Sequence, residues 1–260
     1  MARTKLAPSK ASKASKPRTR RAPGSPPSAA VRRANADKAA RIAVALAGGT
    51  AAPRASAPSK MPGLTWSTVA RANCPGSVDD NGVPVPACAS CYAAKGRYLF
   101  PNVREPREHN AADYRNPGWV AGMVAAIRAD PVPYFRWFDS GDVDSVQLAE
   151  LIEQVIAYTP SVHHWLPTRS HKIPEIRAVL ERIAQLPNVV VRWSSDSIHG
   201  ETVAAPQSST IVSDDAEFAA LRERVGKGLV KCLSGTRGGV CGDCRACWHK
   251  AVTVVAYPIH

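Results

Sequence analysis

The residues best placed to do chemistry are seven cysteines, and they fall in two groups. The C-terminal group reads Cys232-x8-Cys241-x2-Cys244-x2-Cys247. Four thiols within 16 residues, set among Gly and Arg, have the density of a metal site rather than of free thiols. Zinc sites usually pair Cys-x2-Cys units, so that two short loops each give two ligands to one tetrahedral ion. Here Cys241, Cys244 and Cys247 follow one another at x2-x2 spacing, which lets one winding loop reach three separate corners of a cubane. A [4Fe–4S] cluster is therefore expected ahead of zinc. The N-terminal group, Cys74-x13-Cys88-x2-Cys91, offers three thiols and is followed by Tyr92. Three thiols make either a zinc site short of one ligand or a cubane with one open iron that can take substrate or cofactor. His249, two residues past Cys247, is the nearest spare ligand, with His163, His171, His199 and His260 further off. His164, inside an apolar run, reads as a core residue.

A second set of candidates lies where apolar runs end. Tyr134–Phe138 reads as a strand that runs into Asp139-Ser140-Gly141-Asp142. The run at 163–166 leads into Pro167-Thr168-Arg169-Ser170, and Asn188–Trp193 leads into Ser194-Ser195-Asp196. In parallel β/α folds the working groups sit at these carboxyl ends. Asp139 or Asp142 is a candidate nucleophile or general base, Asp196 a facing carboxylate, and Arg169 a bidentate anion holder. Tyr92, Ser194 and Ser195 are candidates for cofactor contact. The competing reading makes Asp142 and Asp196 turn or cap residues.

The elements that must position these groups alternate. Helical spacing marks Gly118–Ala129, Ser145–Tyr158 (capped by Asp144), Ile173–Leu186 and Asp214–Val225. Further short strands are expected at 210–212 and 228–232. Strand–helix alternation with short links predicts an α/β fold of parallel β/α units forming a partial or small barrel, with a flat three-layer sheet as the alternative.

The chain has 260 residues and a formal net charge of +13, with 34 Lys and Arg against 21 Asp and Glu. Residues 1–60 hold 14 of the basic residues and a single acid, Asp37, so the remaining chain is neutral, with 20 of each sign. That segment is rich in Ala, Ser, Pro and Lys and has no aromatic residue. The expectation is a disordered basic tail over 1–60, with a short helix at Val31–Leu46, followed by a metal-binding domain over 61–260. Such a tail suits polyanions, because each neutralised phosphate releases counterions. The expected partner is nucleic acid, DNA first, although no feature of the tail separates DNA from RNA. No apolar run is long enough for a membrane span and no secretory h-region follows the basic start, so a cytoplasmic protein without structural disulfides is expected.

The ordered motif series MPGLTWS, CASCYAAKGRYLFPNV, RWFDSGDV, HHWLPTRSHK, VVVRWSSDSIHG and CGDCRACWHKAVTVVAYPIH resembles the phage gene 88 protein family of mycobacteriophages and related prophages. The resemblance implies that Cys74, Cys88, Cys91, Asp139, Asp142, Arg169, Asp196, Cys241, Cys244 and Cys247 belong to shared motifs. It also implies a phage or prophage source. Two enzyme groups offer analogies. Radical S-adenosylmethionine enzymes use a partial β/α barrel and a three-Cys cubane with an aromatic neighbour, but their usual Cys-x3-Cys-x2-Cys spacing is missing here. Base-exchanging transglycosylases use a β/α barrel, an Asp nucleophile and a Cys-rich zinc site, but their usual Cys-x-Cys is absent. The expected function is a nucleic-acid-directed metalloenzyme that modifies a base or nucleotide, with S-adenosylmethionine as a candidate cofactor. The alternatives are a non-catalytic, metal-stapled DNA- or host-protein-binding protein, and an enzyme of a small nucleotide.

Overall fold

The computed structural model describes residues 25–259. Seven strands form one sheet: β1 (Thr65–Trp66), β2 (Tyr134–Trp137), β3 (His163–Thr168), β4 (Val189–Ser194), β5 (Ser208–Val212), β6 (Leu229–Lys231) and β7 (Val254–Pro258). Every pairing is parallel, and the spatial order is β1-β2-β3-β4-β5-β7-β6. The α/β fold of parallel β/α units is thus the one expected from the alternation. The sheet is open, with β1 and β6 at its edges, so the closed form of a small barrel is not made.

The helices are α1 (Ala29–Leu46), α2 (Pro86–Ala89), α3 (Pro101–Asp113), α4 (Trp119–Arg128), α5 (Val146–Ala157), α6 (Pro174–Gln185) and α7 (Asp215–Val225). From β1 to β5 the strand order runs in one direction. Right-handed crossovers then place the connecting helices on one face. The main core lies there: Phe135, Trp137, His164, Leu166, Val189 and Val191 pack beneath α4, α5 and α6. The order reverses at the end, where β7 slots between β5 and β6. A right-handed return from β6 to β7 must cross the opposite face. That connection, residues 232–253, carries the four C-terminal cysteines, and its Trp248 packs on Tyr134 and Trp165 with Met61 beside it.

The ordered domain starts well before Met61, which corrects the boundary read from composition. Helix α1 is 18 residues long, capped by Ser28, whose hydroxyl accepts from the Val31 amide. Its buried stripe is Arg32, Ala36, Ala40 and Val44, laid against α4. Arg32 forms a buried ion pair with Asp130 at 2.9 Å. Half of the stripe is alanine, which is only weakly apolar, so the surrounding Lys and Arg mask it in the sequence. Small residues are needed at this contact, because a Cβ on Gly122 of α4 would lie 2.7 Å from Val44 Cγ2. The remaining part of the expected tail, residues 1–24, lies outside the described residues.

Ser145, rather than Asp144, caps α5; Asp144 instead accepts from Asn73 Nδ2 at 2.6 Å and from the Tyr114 hydroxyl at 2.9 Å. His164 is a core residue, as expected. It is fully buried, one ring nitrogen meets Thr159 Oγ1 at 2.8 Å, and burial pushes its pKa down from 6.5 to about 3. The unfolded chain therefore binds a proton that the native state refuses. Stability from this site is complete above about pH 6.5 and drains away as the pH falls toward 3. His164→Phe should flatten the pH dependence of the unfolding free energy measured in urea, removing up to about 3 kcal/mol of the loss between pH 7 and pH 4. An unchanged slope would show that the loss of stability in acid arises elsewhere.

Candidate metal centre

The N-terminal thiols gather at the carboxyl ends of β2, β3 and β4. Cys74 opens a 3-10 turn after β1, and Cys88 ends the loop that α2 closes. Two backbone contacts pin this segment to the sheet: Ala87 N donates to Asp196 O at 2.9 Å, and Asp142 N donates to Asn73 O at 2.7 Å. Gly76 lets the chain pass the next loop, since a Cβ there would sit 2.2 Å from Arg169 O. The result is a cluster of like charges. Burial pushes the Cys74 thiol up to about 12, and Asp142, Cys88 and Cys91 reinforce the shift. Burial also raises Cys88, with Cys91, Asp196 and Asp142 adding to the rise and Arg169 opposing it. Thiols in such surroundings ionise only with a cation beside them.

The strand-end carboxylates are brought to the same mouth, but in different states. Asp139 is buried and fully engaged: Arg107 Nη2 reaches its two oxygens at 3.0 and 2.8 Å, and the Ser67 hydroxyl holds Oδ1. Its neighbour Phe138 has φ 57°, a left-handed conformation that is strained for a bulky residue. Asp142 is buried as well; its oxygens accept from the Arg169 amide at 2.7 Å and the Val143 amide at 2.8 Å, and burial raises its pKa. Asp196 is the exposed member, at 40% for its side chain. Lys172 Nζ donates to its Oδ2 at 2.8 Å. Its Oδ1 is shielded from solvent and has no hydrogen-bond partner, since Arg169 Nε, 3.5 Å away, is committed to Ser195 O. Arg169 thus clamps the Ser195 carbonyl, with Nη2 at 2.7 Å, and does not present a free fork. Tyr92 spans the mouth and donates its hydroxyl to Asp139 O at 2.8 Å. Ser194 Oγ accepts from Ser209 Oγ at 3.2 Å, and the Ser195 hydroxyl accepts from the Ser197 amide at 3.1 Å.

The C-terminal thiols form a second group, on the loop between β6 and β7. Burial raises the Cys241 pKa, and Cys232 and Cys244 reinforce the rise. Cys247 is raised by burial too; the Tyr257 hydroxyl, 3.5 Å away, works against the rise and Cys232 works with it. The loop that carries these thiols is fixed by Arg192, whose guanidinium donates to the carbonyls of Ala246, Cys247, Ser208, His249 and Val252. His249 is exposed beside the group. Among the described residues, no three His, Cys, Asp or Glu side chains close to ligand distance around one point.

Three arginines and two aromatic residues escaped the sequence reading: Arg107, Arg136, Arg192, Tyr98 and Tyr257. Arg136 sits among Tyr92, Tyr98, Asp139 and Tyr257, near the C-terminal thiols. It lies over the Trp165 ring at 4.4 Å and donates Nε to Phe138 O at 3.0 Å. Burial opposes its charge, but Tyr92, Asp139, Tyr257 and Tyr98 outweigh that and raise its pKa; its own charge opposes the rise at Cys241 and Cys247. The available signal was a charge in the middle of an apolar strand, as in Tyr134-Phe135-Arg136-Trp137 and Val190-Val191-Arg192-Trp193.

No helix among the described residues is long and apolar enough to cross a membrane. No curated protein and no solved structure matches the chain. The sequence profile of the Gene product 88 family matches residues 29–250, from the first turn of α1 to just past the last cysteine, and the chain belongs to that family.

Proposed function

We propose that this chain is a nucleic-acid-directed metalloenzyme in which Cys74, Cys88 and Cys91 hold a [4Fe–4S] cluster with one open iron. The second group, Cys232, Cys241, Cys244 and Cys247, holds a further metal group that does not meet substrate. The observation that carries this reading is the gathering of three mutually repelling thiols at the strand ends beside Asp196, whose Oδ1 has an ion-pair contact with Arg169 Nε at 3.5 Å but no hydrogen-bond donor. A buried carboxylate oxygen without a donor is rare, and a cation among those thiols would satisfy it and lower their pKa values together. The donor set is sulfur-rich, which suits iron–sulfur or zinc and not a hard oxygen-bound ion.

S-adenosylmethionine is the proposed co-substrate at the open iron, with Tyr92, Ser194 and Ser195 as its neighbours; bound there, the pair would supply one-electron cleavage of a sulfonium. The remaining roles belong to the chain itself. Arg107 and Asp139 fix the β2 end and, through the Asp139 carbonyl, the Tyr92 ring. Arg169 fixes the β4 end through the Ser195 carbonyl. Asp196 is the one carboxylate of the set that is not buried, and its Oδ1 accepts no hydrogen bond, which leaves that oxygen to face a bound group. The nucleic-acid half of the reading rests on residues 1–24, which hold eight Lys and Arg and no acid.

The test is iron and sulfide analysis of protein isolated without oxygen. The wild type should be brown, and Cys88→Ser/Cys91→Ser should lose about four irons while keeping the signal of the second group. Colourless protein with zinc in both groups would transfer the reading to base exchange. Protein without metal in either group would overturn it.

A further inference from the structure

The loop that closes the thiol site also builds its outer rim. Residues 81–104 contain Lys95, Arg97 and Arg104 and no acid. Within this stretch Tyr92, Leu99 and Phe100 are about half exposed, at 49%, 55% and 57%, although they are large and apolar. They are interleaved with Lys95 and Arg97, which are themselves exposed. The loop is not a loose end. It is tied at one side by Ala87 N to Asp196 O and at the other by the Tyr92 hydroxyl to Asp139 O, so it spans from the β4 end to the β2 end. Two 3-10 turns, Tyr92–Ala94 and Gly96–Leu99, fold it into a ridge, and Tyr92 packs edge-on to Tyr98 at 5.6 Å. Arg107, held by Asp139, lies over the Tyr98 ring at 4.9 Å and anchors the ridge from below.

Exposed aromatic and aliphatic faces alternating with cations, with no carboxylate between them, match a strand whose backbone is anionic and whose bases are unpaired. Phosphates would meet Lys95 and Arg97, and bases would stack on Tyr92 and Phe100. A duplex offers no base faces to such a ridge, and the half-buried thiols behind it are reached only by a base out of its stack. We infer that the ridge Tyr92–Phe100 is the docking platform for a single-stranded nucleic acid, which it presents to the mouth between β2 and β4. This deepens the nucleic-acid reading above and gives the substrate its form. It assigns the single-strand preference to the ridge rather than to the basic N-terminus.

The test needs no metal, so its failure is separable from failure of the iron analysis. Binding of a labelled single-stranded oligonucleotide and of its duplex to the full chain is followed by fluorescence anisotropy across a salt series. Phe100→Ala should weaken single-strand binding about ten-fold, with the salt slope unchanged and duplex binding unaffected. Lys95→Glu/Arg97→Glu should weaken it further and lower the salt slope by about 1.4. Ultraviolet crosslinks should map to the peptide that contains Tyr92 and Phe100. The inference is overturned by crosslinks confined to residues 1–24, by Phe100→Ala equal to the wild type, or by equal losses for strand and duplex. Circular dichroism of each variant confirms that these exposed substitutions leave the fold intact.

Discussion

Arg192→Met should loosen the C-terminal thiol loop and lower the stability of the whole chain by about 3 kcal/mol or more. The guanidinium is fully buried and forms no ion pair with a carboxylate among the described residues. It satisfies five carbonyls instead, four of them in residues 246–252. Each buried carbonyl left without a donor costs about 1–3 kcal/mol, partly recovered where the loop can turn to water. Lysine should not rescue, because a compact ammonium with three protons cannot span five acceptors that a planar fork reaches. Urea unfolding gives the total, and hydrogen exchange of the amides at 248–253 gives the local part. A loss below about 1 kcal/mol, with exchange unchanged, would remove Arg192 from this role. The metal content of the variant is a separate measurement, and on the proposed function it should fall at the second thiol group alone.

The second large effect is expected at Arg107. Arg107→Met strands the Asp139 carboxylate, whose side chain is only 10% exposed, with Ser67 as its remaining close partner. Breaking one side of a buried pair costs about 3–5 kcal/mol, because the remaining charge must be buried unpaired or take up a proton. Asp139→Asn/Arg107→Met should recover part of the loss, and the double-mutant cycle should return a coupling of about 1–3 kcal/mol. Additive losses would show that the two side chains act independently. The same variant separates two views of Asp139. The sequence position at a strand end marks it as a nucleophile, whereas its hydrogen bonds make it a holder of Arg107 and, through its carbonyl, of Tyr92.

These two arginines also mark where sequence reading reached and where it stopped. Strand ends were legible because apolar runs such as 188–193 stop abruptly at Ser194-Ser195-Asp196, and periodicity alone locates that change. The convergence of Asp139, Asp142, Arg169 and Asp196 follows from parallel topology, which alternation reveals. Which carboxylate is free and which is bound does not follow, because Arg107 comes from α3, 32 residues earlier, and no local pattern links it to Asp139. Helix α1 itself is legible at Val31–Leu46, but its packing against the domain is not, for a related reason. The apolar part of its buried stripe is Ala36, Ala40 and Val44, and alanine contributes too little apolar area to stand out against the six charged and polar residues of the same helix, yet it suffices where a glycine-bearing helix comes close. The β6–β7 reversal was invisible, since the 22 residues between the two strands show no helical period from which a crossover could be read.

That reversal bears on how the chain is made. A ribosome delivers β5 and β6 before β7, yet β6 pairs only with β7, and β5 reaches β6 only through it. Until residues 254–258 emerge and slide into the gap, two strand edges remain open and the last four thiols have no floor beneath them. A stop that removes residues 254–258 should therefore yield a sticky, sulfur-exposed nascent product rather than a slightly shortened one.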